Sequence, residues 1–159
     1  GPGDTNLVPT ILKRARAGRL VQVGDGTNLV DLTFIDDCVS AHVLAANVLD
    51  ERPAAGGRAY FISQGSPVRL WEWIGRVLAL HDAPPVRRRL SATTARFLAT
   101  VAEGAWRTFG LVSDPPLTRF LAEEMATDHY FDITAARRDL GYAPSCTVWE
   151  ATERTFGRA

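Results

Sequence analysis

The segment Val21–Ala46, VQVGDGTNLVDLTFIDDCVSAHVLAA, constrains the fold more than any other part of the chain. Its opening run, Val21 to Val23, carries β-branched residues at alternate positions and closes on Gly24-Asp25-Gly26, a strong turn signal. A second short strand is expected from about Val30 to Ile35. Asp36 or Asp37 then caps a helix, because Val39, Val43, Ala46 and Leu49 recur at helical spacing and a carboxylate suits the open N–H groups of a helix start. Strands this short cannot make an independent parallel sheet, since each parallel neighbour needs a crossover connection. They read as edge additions to a sheet that lies mostly elsewhere.

The rest of the pattern is mainly helical. Leu7 to Ala17 reads as a helix with Pro9 in its first turn and Gly18 in the place of a C-cap glycine. Arg52 to Gly57 is a surface connection, and Arg58 to Ser63 a short strand. Leu70 to Leu80 forms a helix with Leu70, Trp73, Ile74 and Val77 on one face, ended by His81-Asp82-Ala83-Pro84-Pro85. Val86 to Leu90 is a further short strand. Ser91 to Gly110 reads as one amphipathic helix whose polar stripe is Arg96, Thr100, Glu103 and Arg107. After a break at Pro115-Pro116, a helix runs from about Leu117 to Ala126 and a strand from His129 to Phe131. Asp132 to Leu140 is a helix stopped by Gly141, and Thr147 caps a last helix to Phe156.

Composition excludes several classes of function. The 159 residues carry 18 basic and 18 acidic side chains, which leaves no electrostatic footprint for nucleic acid. Cys38 and Cys146 lie far apart without CxxC spacing, so neither a zinc site nor a disulfide framework is expected, and a reducing cytosol is the simplest setting. No apolar run approaches the roughly 18 residues of a transmembrane helix. His42, His81 and His129 are widely spaced, and His42 reads as a packing or surface residue. Asp36-Asp37 could be a carboxylate pair, but their place before an apolar helix favours capping and dipole compensation.

Dinucleotide chemistry is also missing from the pattern. Gly1-Pro2-Gly3 and Gly24-Asp25-Gly26 do not complete GxGxxG, and both read as tight turns. The chain holds no Tyr-x-x-x-Lys, because its only lysine is Lys13 and Pro9 stands four residues before it. No catalytic and no cofactor-binding residue is therefore assigned.

The whole chain nevertheless resembles the C-terminal half of extended short-chain dehydrogenase/reductases, in their 3β-hydroxysteroid dehydrogenase branch. The likeness is carried by Gly1-Pro2-Gly3-Asp4, Gly24-Asp25-Gly26, Asn28-Leu29-Val30-Asp31, Phe34-Ile35-Asp36-Asp37, Gly56 to Ser63, Tyr130-Phe131-Asp132 and Leu140-Gly141-Tyr142-Ala143-Pro144. The stretch NLVDLTFIDD is its most discriminating part. The resemblance implies an α/β fold: the substrate-side portion of an NAD(P)-binding Rossmann-fold extended reductase, mostly helices with short strands. It implies one partial domain over residues 1–159, with the dinucleotide-binding part and the proton-transfer Tyr-x-x-x-Lys encoded before Gly1. NAD or NADP would serve the full-length parent; this chain alone would bind neither tightly, catalyse nothing and lack the usual dimer face.

In sugar-nucleotide members of the superfamily an Arg commonly precedes the Asp of the second strand, where a forked guanidinium suits a diphosphate. Here that place is Val30, before Asp31. The departure argues for an apolar substrate, a sterol or a long 2-alkyl-3-hydroxy or 3-oxo acid. Substrate-side contacts are expected from Leu7, Val8, Val30, Leu32 and Phe34, with Arg119 as a polar anchor or, more simply, a surface salt bridge. The Ser91–Gly110 helix is either packed on the domain or a cover over a lipid-accepting cleft or an interfacial contact, so peripheral membrane contact stays open. Two rivals remain: part of a nucleotide-sugar epimerase or dehydratase, and a non-catalytic module that binds lipid or protein.

Overall fold

In the computed structural model, which describes residues 1–51, 56–113, 115 and 117–157, helices form where apolar residues recur at helical spacing. The elements in chain order are α1 (Leu7–Arg16), β1 (Val21–Val23), β2 (Leu29–Val30), α2 (Ile35–Glu51), β3 (Val68–Arg69) and α3 (Leu70–Leu80). After these come β4 (Arg88–Leu90), α4 (Ala92–Thr108), α5 (Arg119–Glu124), α6 (Thr134–Leu140) and α7 (Val148–Phe156). Residues 52–55 of the expected surface connection, and Pro116 of the expected break, lie outside the described residues. The chain divides into two compact units. The first comprises Gly1–Thr5, Val30–Val68 and Tyr130–Ala159; the second comprises Asn6–Leu29 and Arg69–His129.

The first unit is built on α2 and α6. Ala41, Val48, Ile133, Ala136, Leu140 and Tyr142 form its core, with Leu44, Ala45, Tyr60 and Ile62 packed against it. Gly141 ends α6 with φ +70, a conformation that a glycine adopts without a Cβ clash. The helix starts at Thr134 rather than Asp132, whose carboxylate instead accepts from the Thr134 N–H at 2.8 Å. Thr147 and Glu150 close a capping box at the start of α7.

Two strands expected here do not form. The run Val30–Ile35 keeps only Val30 in a strand, and Ile35 already belongs to α2. Its polar groups are taken by local partners instead of a ladder: the Thr33 hydroxyl donates to the Ile62 carbonyl, Leu32 accepts from the Gln64 N–H, and the Phe34 N–H donates to the Gln64 side chain. Arg58–Ser63 forms neither strand nor helix and has no ladder partner among the described residues. Because α2 begins at Ile35, Asp36 and Asp37 sit in its first turn rather than at its cap.

In the second unit α1 packs on α3, burying Val8, Ile11, Leu12 and Ala15 on one helix and Trp71, Trp73, Ile74, Val77 and Leu78 on the other. The bounds of α3 are those the sequence pattern gives. β1 and β4 pair in parallel with Val21 opposite Arg88 and Val23 opposite Leu90. A parallel pair does therefore form within the chain, although the expectation was for edge additions alone; the long connection between β1 and β4 supplies the crossover. Ser91 caps α4 through its side chain, and α4 packs on α5. The helix expected over Leu117–Ala126 is shorter, because the Thr118 side chain caps it immediately before Arg119. The expected strand His129–Phe131 reduces to a single bridge, the His129 N–H donating to the Leu29 carbonyl at 2.9 Å.

Candidate functional site

The residues expected to touch substrate divide between the units. Val30 and Phe34 are buried in the first unit, and Leu32 is half-buried there. Leu7 and Val8 open α1 in the second unit, Leu7 exposed and Val8 buried against the helix core. Val8, Val30 and Phe34 thus act as packing residues in this structure, while Leu7 and Leu32 keep accessible surface.

Arg119 is held by Glu103. Its backbone N–H and its Nε both donate to that carboxylate, each at 2.7 Å. These two bonds hold the Glu103 carboxyl below the usual glutamate range. The salt bridge therefore occupies the guanidinium expected to anchor a substrate carboxylate. Arg96 makes a parallel bidentate pair with Glu123 at 2.6 and 2.8 Å.

Asp37 is a buried carboxylate, only 2% exposed. Burial pushes its carboxyl upward, but the Ser145 N–H at 2.8 Å, the Gln64 amide and the Arg154 charge together bring it below the ordinary range. Gln64 links this carboxylate to the backbone, since its Oε1 accepts from the Phe34 N–H at 2.8 Å and its Nε2 reaches the Cys146 carbonyl at 3.3 Å. Tyr142 lies close by, donating to the Ser63 carbonyl at 3.0 Å; burial, with the Asp37 charge, pushes its phenol up to about 12. The sequence marked Asp37 as a cap and gave no signal for Gln64, because the two are 27 residues apart and meet only through the fold.

Asp31 is a second anchor. Its Oδ2 accepts from the Phe131 N–H at 2.9 Å, while its Oδ1 is buried without a partner among the described residues. Beside it, the exposed rings of Phe61 and Phe131 stack with centroids 3.9 Å apart. Gly24 and Gly26 take positive φ around Asp25, whose carboxylate accepts from both the N–H and the hydroxyl of Thr27. A Cβ on Gly26 would run into the Gln22 amide, so this turn is filled by its own residues. His42 stays local, its Nδ1 2.7 Å from the Cys38 carbonyl one helical turn back. Among the described residues no three His, Cys, Asp or Glu side chains cluster as metal ligands, and no helix is long and apolar enough to cross a membrane.

Comparison with known proteins gives this arrangement a context. The model of the 3-beta hydroxysteroid dehydrogenase/isomerase family matches residues 1–88. The chain is 45% identical over 154 residues to a 2-alkyl-3-oxoalkanoate reductase of Stenotrophomonas maltophilia, covering 97% of this chain and 47% of that protein. It is 35% identical over 160 residues to a decarboxylating sterol-4-alpha-carboxylate 3-dehydrogenase of Schizosaccharomyces pombe, covering 98% of this chain and 46% of that one. The chain spans about half the length of the relatives it matches. A UDP-glucuronic acid 4-epimerase from Bacillus cereus, solved in complex with NAD, shares the fold with a TM-score of 0.57 at 17% identity, over 94% of this chain and 37% of its own. The fold is accordingly that of Rossmann-type epimerases and dehydratases, helix-rich here with few short strands. By the match over its first 88 residues, the chain belongs to the 3-beta hydroxysteroid dehydrogenase/isomerase family.

Proposed function

We propose that this chain is the substrate-side portion of an NAD(P)-dependent oxidoreductase that reduces the ketone, or oxidises the alcohol, of a long 2-alkyl-3-oxo or 3-hydroxy acid. A sterol is the second member of the same substrate class. The reading rests first on the 45% identity, sustained over nearly the entire chain, to a reductase named for 2-alkyl-3-oxoalkanoates. Val30 supports it, because an apolar residue stands where a diphosphate ligand calls for a guanidinium. A nicotinamide dinucleotide, held by the half outside these residues, would supply or take up the hydride at the substrate carbon. NAD bound to a protein of the same fold supports a nicotinamide dinucleotide as the hydride source.

On this reading residues 1–159 are one partial domain, and the dinucleotide-binding half and the Tyr-x-x-x-Lys pair come from sequence outside them. Two features of the first unit support it. The backbone N–H groups of Tyr60, Phe61 and Ile62 make no backbone hydrogen bond among the described residues, although the segment is rich in strand formers. On α2, Val39, Val43 and Leu49 are all exposed. Such an open edge and bare helix suit the margin of a larger sheet. Leu7 and Leu32 are the accessible apolar contacts for the substrate; Arg119 anchors a carboxylate only after leaving Glu103.

The test joins this chain to the upstream half of its reading frame and follows nicotinamide absorbance. Turnover of a 2-alkyl-3-oxo acid, with no protection against unfolding by a UDP-sugar, is the expected result. UDP-sugar protection without oxo-acid turnover would replace the reading with an epimerase or dehydratase. The 159-residue chain alone is expected to turn over nothing.

A further inference from the structure

The turn after β1 needs two residues that are chemically unstable beside each other. Gly26 has φ +87, a conformation that side chains rarely adopt, and a Cβ there would meet the Gln22 amide, so the position calls for glycine. Asp25 closes the turn: its Oδ1 accepts from the Thr27 N–H at 2.9 Å and from the Thr27 hydroxyl at 2.7 Å. The same turn ends β1, where the Gly24 N–H donates to the Leu90 carbonyl at 2.9 Å. When glycine follows aspartate, the next backbone nitrogen reaches the side-chain carboxyl carbon with least hindrance, because no Cβ obstructs the approach. Asp25 is the only aspartate or asparagine of the chain that precedes a glycine.

Both partners of that attack are open to reaction. Asp25 is exposed, and the Gly26 N–H makes no hydrogen bond among the described residues. Ring closure needs the carboxyl in its neutral form, because a carboxyl oxygen has to depart as water. The two Thr27 bonds oppose this: they favour the ionised form and hold the carboxyl below the ordinary aspartate range. We infer that Asp25-Gly26 is a site of spontaneous modification to isoaspartate, and that Thr27 is the residue that restrains it. The Gly26 nitrogen bonds to Cγ of Asp25, and the carboxyl hydroxyl leaves as water with the amide hydrogen, giving a cyclic imide. Water then opens the ring. Cleavage at Cγ restores aspartate. Cleavage between the nitrogen and the main-chain carbonyl carbon leaves the chain running through Cγ, with the free carboxylate on Cα. The water lost is regained, so composition and oxidation state do not change. The main chain becomes longer by a methylene, the carboxylate moves away from Thr27, and the turn that ends β1 loosens.

The test holds the 159-residue chain at neutral pH and physiological temperature. Isoaspartate is read by methyl transfer from an isoaspartate-specific methyltransferase and located by peptide mapping. It is expected to accumulate at Asp25 and not at the other aspartates. Thr27→Val removes the hydroxyl at an exposed position and raises the rate by about threefold or more. Thr27→Ser keeps the hydroxyl and leaves the rate unchanged. Asp25→Glu abolishes the signal, since its ring would be larger and slower to close. Thermal unfolding of each variant shows that it folds. Unfolding the unaltered chain in guanidinium chloride, which needs no variant, also raises the rate, because the Thr27 bonds are then lost. Absence of isoaspartate at Asp25, equal rates in Thr27→Val and the unaltered chain, or a native rate no lower than the unfolded one overturns the inference. The measurement uses neither substrate nor cofactor, so its failure leaves the reductase reading standing.

Discussion

Helices α2 and α4 are both 17 residues long, and both bury only a narrow face, yet they place their charges in opposite ways. The buried face of α2 contains a carboxylate, Asp37, satisfied by a backbone N–H and a side-chain amide. That of α4 is made of alanines, and its charges meet α5 in exposed ion pairs. A buried carboxylate with fixed donors determines the local fold, because losing it strands those donors away from water. Exposed ion pairs orient two helices and contribute little to stability. The first unit is thus held by its polar node, and the second by apolar contact between α1 and α3.

Asp37 is the position where the first unit is most sensitive to substitution. Asp37→Ala leaves the Ser145 N–H without its acceptor and takes one of two acceptors from the Gln64 amide, and is expected to cost about 3 kcal/mol, read from the denaturant midpoint. A loss no larger than that of an ordinary surface substitution would show that the node does not hold the first unit. Thr147→Ala opens the capping box of α7 and is expected to cost about 1 kcal/mol by the same measurement. Tyr142→Phe keeps the ring in the core and removes only the bond to Ser63, again about 1 kcal/mol.

Acid should weaken the first unit through two carboxyls whose effects have the same sign. Asp139 is held near 2, first by the Arg138 guanidinium and then by Tyr60 and Arg58. A carboxyl depressed in the folded state gives stability that is present above its ordinary value near 4 and is lost as pH falls toward 2. Asp37, also depressed, adds to the loss in the same direction. Unfolding midpoints measured from neutral pH down to 2 should fall through this window, and Asp139→Asn should flatten the fall. The smallest expected effect is in the second unit: Arg119→Ala removes an exposed pair and should leave the midpoint unchanged within error.

The parts legible in the sequence were those fixed by local chemistry. The bounds of α3 follow from its apolar spacing, and Thr147 with Glu150 announces α7. Gly141 and Gly18 mark helix ends because positive φ is open to glycine. Among the strands, β1 was legible to the residue at Val21–Val23, because Gly24-Asp25-Gly26 closes it, but the run after it was not. The run from Val30 to Ile35 has the composition of a strand, but Asp31, Thr33 and Gln64 supply side-chain bonds that replace a ladder. Of the candidate site, the apolar character of Leu7, Val8, Val30, Leu32 and Phe34 was legible, but their burial was not. Which arginine meets which acid depends on α4 lying against α5, so the Glu103 partner of Arg119 was hidden until the fold was known.

The proposal that this chain is the margin of a larger nucleotide-binding fold has one direct test. Amide hydrogen exchange at Tyr60, Phe61 and Ile62 is measured in the chain alone and after it is joined to the upstream half. Rapid exchange in the isolated chain, changing to strong protection in the joined protein, is the predicted result. Protection already present in the isolated chain, or absent from the joined one, would contradict the account.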